Sequence, residues 1–187
     1  MKNIKQTISI LATATLLTAC GGGDDTGTAA AGSSGSTDFS NLAQCVANRW
    51  EMGAEQVKKG LETVGGSSAS GVAFSVTGNQ ISEFSTGGSY KGTPNYTISF
   101  TRGGTSGTSQ YAGTATGTWS VDGDKLTITR TTSSVTVTNT IGGVTTTYGD
   151  GIGSPSTVKV ISCTPATLTY DQTLSSGAVV RIVLVSA

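Results

Sequence analysis

The 187-residue chain has no histidine. Without an imidazole there is no Ser-His-Asp or Cys-His arrangement and no histidine general base. Cysteine and proline are each present three times, and charged residues make up 12%. Eleven basic and eleven acidic side chains are dispersed, with no basic patch or run to track a phosphate backbone, so nucleic acid is not an expected partner. No glycine-rich loop leads into a helix, which removes the usual phosphate cradle. A serine–lysine dyad remains conceivable. Asp122 and Asp124 could pair as carboxylates, but Asp122-Gly123-Asp124 reads better as turn chemistry. A calcium ion at Asp150, or at Asp122 and Asp124, lacks the ligand count of a built site. No metal, cofactor or catalytic residue is expected, and an enzyme is the least favoured reading.

The chain does have a charged start, Met1-Lys2-Asn3-Ile4-Lys5, followed by an apolar run from Ile8 to Leu17. That layout is a secretory signal and is too short for a mature membrane span. It ends in Leu17-Thr18-Ala19-Cys20, which resembles the bacterial lipobox. The resemblance implies cleavage after residue 19, lipidation of Cys20 and a membrane anchor, with acyl chains contributing about 0.8 kcal/mol per buried CH₂. Gly21 follows the cysteine, which favours an outer-membrane address within the cell envelope. Loss of Lys2 and Lys5 with the signal leaves the remainder slightly acidic.

With Cys20 committed to lipid, Cys45 and Cys163 remain for an oxidising compartment, and one disulfide is expected. Free thiols or a shared metal are the competing readings. Residues 20–37, the lipidated cysteine and a Gly/Ser/Thr/Ala stretch without large apolar side chains, read as a flexible tether. The folded domain is expected over 38–187.

Leu42, Val46, Trp50, Val57, Leu61 and Val64 recur at helical spacing. Gly53 weakens one continuous helix, so two helical pieces around an extended Arg49–Met52 are expected. Gly65-Gly66 ends this segment. From Gly71 the period becomes 2, as in Val72-x-Phe74-x-Val76 and Tyr96-x-Ile98-x-Phe100, over about ten strand-like runs. Gly78-Asn79, Asp122-Gly123 and Gly142-Gly143 are expected at hairpin turns. Thr86–Asn95 and Arg102–Ala112 read as long polar loops at one end. The fold class is mainly β: an antiparallel up-and-down meander that hides its edges by closing into a barrel, with a short N-terminal helical segment. A two-sheet sandwich is the alternative.

Three motifs resemble small bacterial lipocalin-like lipoproteins. These are the opening Cys45-Val46-Ala47-Asn48-Arg49-Trp50, the hairpin Gly117-Thr118-Trp119-Ser120-Val121-Asp122-Gly123-Asp124-Lys125-Leu126-Thr127-Ile128, and the late Cys163-Thr164-Pro165-Ala166-Thr167-Leu168-Thr169. Asn48 stands where that family's opening has glycine. The resemblance implies a lipocalin-like barrel over most of residues 45–185. It also implies a barrel-closing pair of Arg181 on Trp50, against an ordinary exposed arginine as the plainer reading. Phe74, Phe84, Tyr96, Phe100, Trp119 and Tyr148 are the candidate cavity lining for a small hydrophobic ligand, with a packed core as the alternative. The functional expectation is a membrane-anchored binding protein. An envelope-assembly factor or enzyme inhibitor that works through loops at one barrel end is the rival.

Overall fold

The computed structural model describes residues 39–65, 72–174 and 177–187, so the expected signal segment 1–19, Cys20 and the tether lie outside the described residues. A single 3-10 turn at Phe39–Asn41 leads into helix α1 (Leu42–Val46), then strand β1 (Arg49–Gly53), then helix α2 (Ala54–Gly65). The helical stretch is broken as expected. Its middle is extended because both edges of β1 find partners: Arg49–Gly53 pairs with Glu83–Asn79, and Trp50 and Glu51 pair with Ser186 and Val185. A continuous helix would leave the edges of those two strands that face β1 unpaired.

Ten strands follow: β2 (Val72–Phe84), β3 (Ser89–Arg102), β4 (Thr105–Ala112), β5 (Ala115–Asp122), β6 (Lys125–Ser133), β7 (Thr136–Ile141), β8 (Val144–Gly149), β9 (Ser156–Cys163), β10 (Thr167–Thr173) and β11 (Val179–Ser186). Every pairing is antiparallel. Eight of the eleven strands close into a barrel in chain order, β1-β2-β3-β5-β6-β9-β10-β11 and back to β1. The up-and-down barrel is therefore the fold, and the sandwich alternative falls. Strand β4 and the β7–β8 hairpin are insertions that leave the barrel and extend the sheet sideways from β3 in the order β4-β7-β8.

This split requires β2 and β3 to serve two sheets. Ser89–Gly92 of β3 pairs with β5 in the barrel, whereas Asn95–Arg102 pairs with β4 in the extension. On β2 the change of role falls at Gly78, whose φ is 88°. The expected turn at Gly78-Asn79 is thus a correction. The glycine sits inside a continuous strand opposite Tyr96, and a Cβ there would strike the Asn95 carbonyl. The expected loops Thr86–Asn95 and Arg102–Ala112 are corrected too, since most of both lies in β3 and β4. Their serine, threonine and glycine hide a strand whose ladder bonds come from neighbours. The other two turns hold: Gly123 (φ 56°) joins β5 to β6, and Gly142 and Gly143 (φ 57° and 83°) join β7 to β8.

One barrel end is plugged. Leu42 and Val46 of α1 pack there with Trp50, Phe84, Trp119 and Leu168 in a single buried cluster. Trp50 is 0% exposed, and its indole Nε1 donates to the Val46 carbonyl at 2.9 Å. Trp119 Nε1 donates to the Ser85 carbonyl at 3.0 Å, and its ring meets Phe84 edge-on at 5.6 Å between centroids. Both indoles satisfy their one donor while burying their rings, as buried tryptophans require. The Cys45–Cys163 disulfide ties α1 to the end of β9 at this plug.

At the opposite end β1 has run out and α2 takes its place. Gln56 Oε1 accepts from the Val183 backbone N–H at 3.3 Å, on the stretch of β11 that β1 does not reach. Val57 packs under α2 into a second cluster with Tyr96, Ile98, Tyr111 and Val137, on one face of the extension.

Candidate functional site

Inward-facing positions beyond the plug leave a cavity of about 190 Å³. Its base is apolar, from Leu126, Val158, Leu168, Ile182 and Leu184, and its upper wall carries Tyr90, Tyr96, Tyr111 and Tyr170. Gln80, Gln172, Ser154 and Ser156 surround the unplugged end. Strand alternation produces this arrangement directly. Leu126-x-Ile128-x-Arg130 and Leu168-x-Tyr170-x-Gln172 each send three successive inward side chains from the plug towards the mouth.

Arg130 and Asp150 are the charged side chains among the described residues on this wall. Arg130 Nη1 donates to Asp150 Oδ2 at 2.9 Å, with 18% and 8% of the two side chains exposed. Arg130 projects from a paired strand, since it lies opposite Gly117 in the β5–β6 ladder. Asp150 begins the irregular connection 150–155 between β8 and β9, held by its own N–H on the Val135 carbonyl at 2.9 Å. Burial pushes the Asp150 carboxyl above the usual aspartate range, and the Arg130 hydrogen bond and charge pull the other way.

The tyrosines share an environment. Tyr96 and Tyr111 stack at 4.7 Å with 20° between planes. Burial raises the phenols of Tyr90, Tyr96, Tyr111 and Tyr170, so each is a neutral donor and acceptor across the physiological range. Tyr90 is hydrogen-bonded to Ser82 inside the barrel, and its phenol lies over Gly92, where a Cβ would collide with it.

Of the six expected lining residues, Phe84 and Tyr96 line the cavity. The other four are corrections. Trp119 is below it in the plug. Phe74 and Phe100 face each other on the outer halves of β2 and β3, with the Phe100 ring over Gly107. Tyr148 is on β8, outside the barrel and 38% exposed. The expected Trp50–Arg181 pair is also corrected. Alternation along β11 turns Val180, Ile182 and Leu184 inward and Arg181 outward. There Arg181 forks onto Asp171 of β10, Nε to Oδ1 at 2.8 Å and Nη2 to Oδ2 at 2.9 Å. The missed residues are Arg130, Tyr90, Tyr111 and Tyr170. The signal for Arg130 was its phase, two residues beyond Ile128 on the inward side.

Ser156-Thr157-Val158-Lys159 has the Ser-x-x-Lys spacing, which the sequence reading passed over. On a strand that spacing separates the two groups: Ser156 faces the cavity, while Lys159 is exposed beside Asp124 at 3.7 Å. Among the described residues no three metal-ligating side chains cluster. No protein-family model matches the chain, and no curated protein matches it.

A titration checks the electrostatics of the site. In ¹³C NMR the Asp150 carboxyl should titrate above 3.8 and Asp171, held down by its Arg181 hydrogen bonds, below it. The sign for stability follows. The folded chain holds the Asp150 proton more tightly than the unfolded chain. Its contribution therefore grows as pH falls through the raised value towards 3.8 and is constant below that. Equal midpoints for the two aspartates would contradict the burial of Asp150.

Proposed function

We propose that this protein is a lipid-anchored, lipocalin-like binding protein of the bacterial envelope, without catalytic activity, whose barrel holds one small ligand. The anchor reading rests on the lipobox at Leu17–Cys20, and the envelope reading is supported by the Cys45–Cys163 bridge, since disulfides persist in oxidising compartments. The observation that carries the binding reading is the cavity: about 190 Å³ remain inside a closed barrel, where a packed core would leave none. An apolar base below a few convergent polar groups is the usual composition of a small-molecule site. A cavity of about 150 Å³ lined by apolar side chains holds benzene. The volume here therefore suits a single ring with a short substituent.

Native mass spectrometry of the whole protein, purified gently from the cells that make it, tests both parts. The expected spectrum shows a chain beginning at Cys20, carrying acyl groups, plus a small mass lost on denaturation. An unprocessed chain would remove the anchor, and a bare mass that also takes up no single-ring compound would remove the carrier.

A second reading, interaction with another protein, is favoured by strand β8. It ends the sheet, and all six of its residues are exposed, Val144 by 68%. Edge strands are ordinarily guarded by charge, proline or a bulge, and Val144-Thr145-Thr146-Thr147-Tyr148-Gly149 has no charged residue and no proline. A co-purifying polypeptide in the same spectrum would support that reading, at the sheet edge and not at the loops expected from sequence.

A further inference from the structure

We infer that the cavity's ligand is a small aromatic carboxylate, and that its carboxylate takes the position on Arg130 that Asp150 occupies in this structure. This rests on the carrier reading and names the ligand class of the same site.

Three observations carry it. The volume accommodates about one ring, and the wall carries Tyr90, Tyr96, Tyr111 and Tyr170, beside which an aromatic ring packs well. Arg130 is a cation inside the barrel, and a buried guanidinium deprived of its counter-charge is strongly destabilising, so an anion must accompany it. The two partners differ in their mounting. Arg130 is fixed by the β5–β6 ladder, whereas Asp150 starts a connection whose next five residues are exposed. Within it Gly151 and Gly153 both have left-handed backbone, with φ of 63° and 69°. Asp150 can therefore move into water with its connection at the cost of one backbone hydrogen bond, its N–H on the Val135 carbonyl, while Arg130 stays on its strand. A ligand carboxylate offers the same two oxygens that Asp150 presents, in the geometry guanidinium favours.

The opposite polarity, an amine held by Asp150, would require the strand-borne arginine to leave the barrel and the loop-borne carboxylate to remain. The burial that raises the Asp150 carboxyl agrees with a group that gains hydration when released.

Asp150 then acts as a built-in competitor, and its removal sharpens binding. The test titrates the full chain with benzoate, benzyl alcohol and benzylamine, following the tyrosine ring signals and the amides of residues 150–154 by NMR. Benzoate should bind more tightly than the other two and shift the 150–154 amides. Asp150→Asn should tighten benzoate by about tenfold, the factor expected when roughly one molecule in ten is open before binding. Arg130→Gln should abolish the preference for benzoate over benzyl alcohol. A thermal melt of each variant confirms that it folds. Should either variant fail to fold, the ranking of the three probes on the unaltered chain decides.

Benzyl alcohol binding as well as benzoate would overturn the carboxylate class and leave the carrier reading standing. Preference for benzylamine would overturn the inference in favour of Asp150 as the fixed partner. Binding of none of the three would overturn both. Weaker benzoate binding in Asp150→Asn would overturn the competitor role.

Discussion

Replacing Cys45 and Cys163 together with alanine should cost about 2–5 kcal/mol and lower the melting temperature by roughly 10 °C or more. The bridge spans 118 residues of sequence, a closure for which chain-entropy estimates reach about 4–5 kcal/mol. Its local effect is as important as its length. Helix α1 has five residues and no side-chain cap, too short to persist on its own. Beyond the disulfide, it is held by Leu42 and Val46 in the plug. Without the bridge α1 should open first. Amide exchange at residues 42–46 should therefore accelerate well before exchange in the β9–β10 ladder. A double variant that melts within a degree or two of the parent would show that the plug is held by burial alone.

Trp50→Ala should be as damaging, at about 3–5 kcal/mol in chemical denaturation. The ring is 0% exposed, so its loss opens a cavity in the plug, and the Val46 carbonyl keeps one of its two donors, the Asn48 backbone N–H at 2.7 Å. Trp50→Phe separates the two effects. It restores most of the ring volume without the N–H, and should recover more than half of the loss if packing dominates. Equal destabilisation by both variants would assign the effect to the hydrogen bond.

Much of this fold could be read from the chain because it is set by local periodicity. The shift from period 3.6 to period 2 near residue 71 marks where β2 begins, and Gly53 marks where β1 ends. The disulfide followed from counting cysteines. What escaped the sequence was decided by partners far along the chain. Gly78 has the positive φ of a hairpin glycine, yet whether it turns the chain or kinks a strand depends on Tyr96 and Asn95 lying opposite. Phe74 and Phe100 alternate in phase like lining residues. They miss the cavity because β2 and β3 outrun the barrel, which phase alone does not report. Tyr148 was misplaced for the same reason: nothing in its own strand says that the β7–β8 hairpin leaves the barrel. Arg130 was the reverse case. Its inward phase was present in Leu126-x-Ile128-x-Arg130, but a charge on the wet side of a strand is the commoner arrangement, and its partner Asp150 is 20 residues away.

The plug has a consequence for how the molecule can be handled. Phe39 packs on the plug cluster, and the Ala187 backbone N–H donates to the Arg49 carbonyl, so both ends of the described fold emerge at the closed pole. A bead, a fluorophore or a fused domain placed at either end is therefore about one barrel length from the mouth. Attachment at either end of the described fold leaves the cavity mouth at the far pole of the barrel.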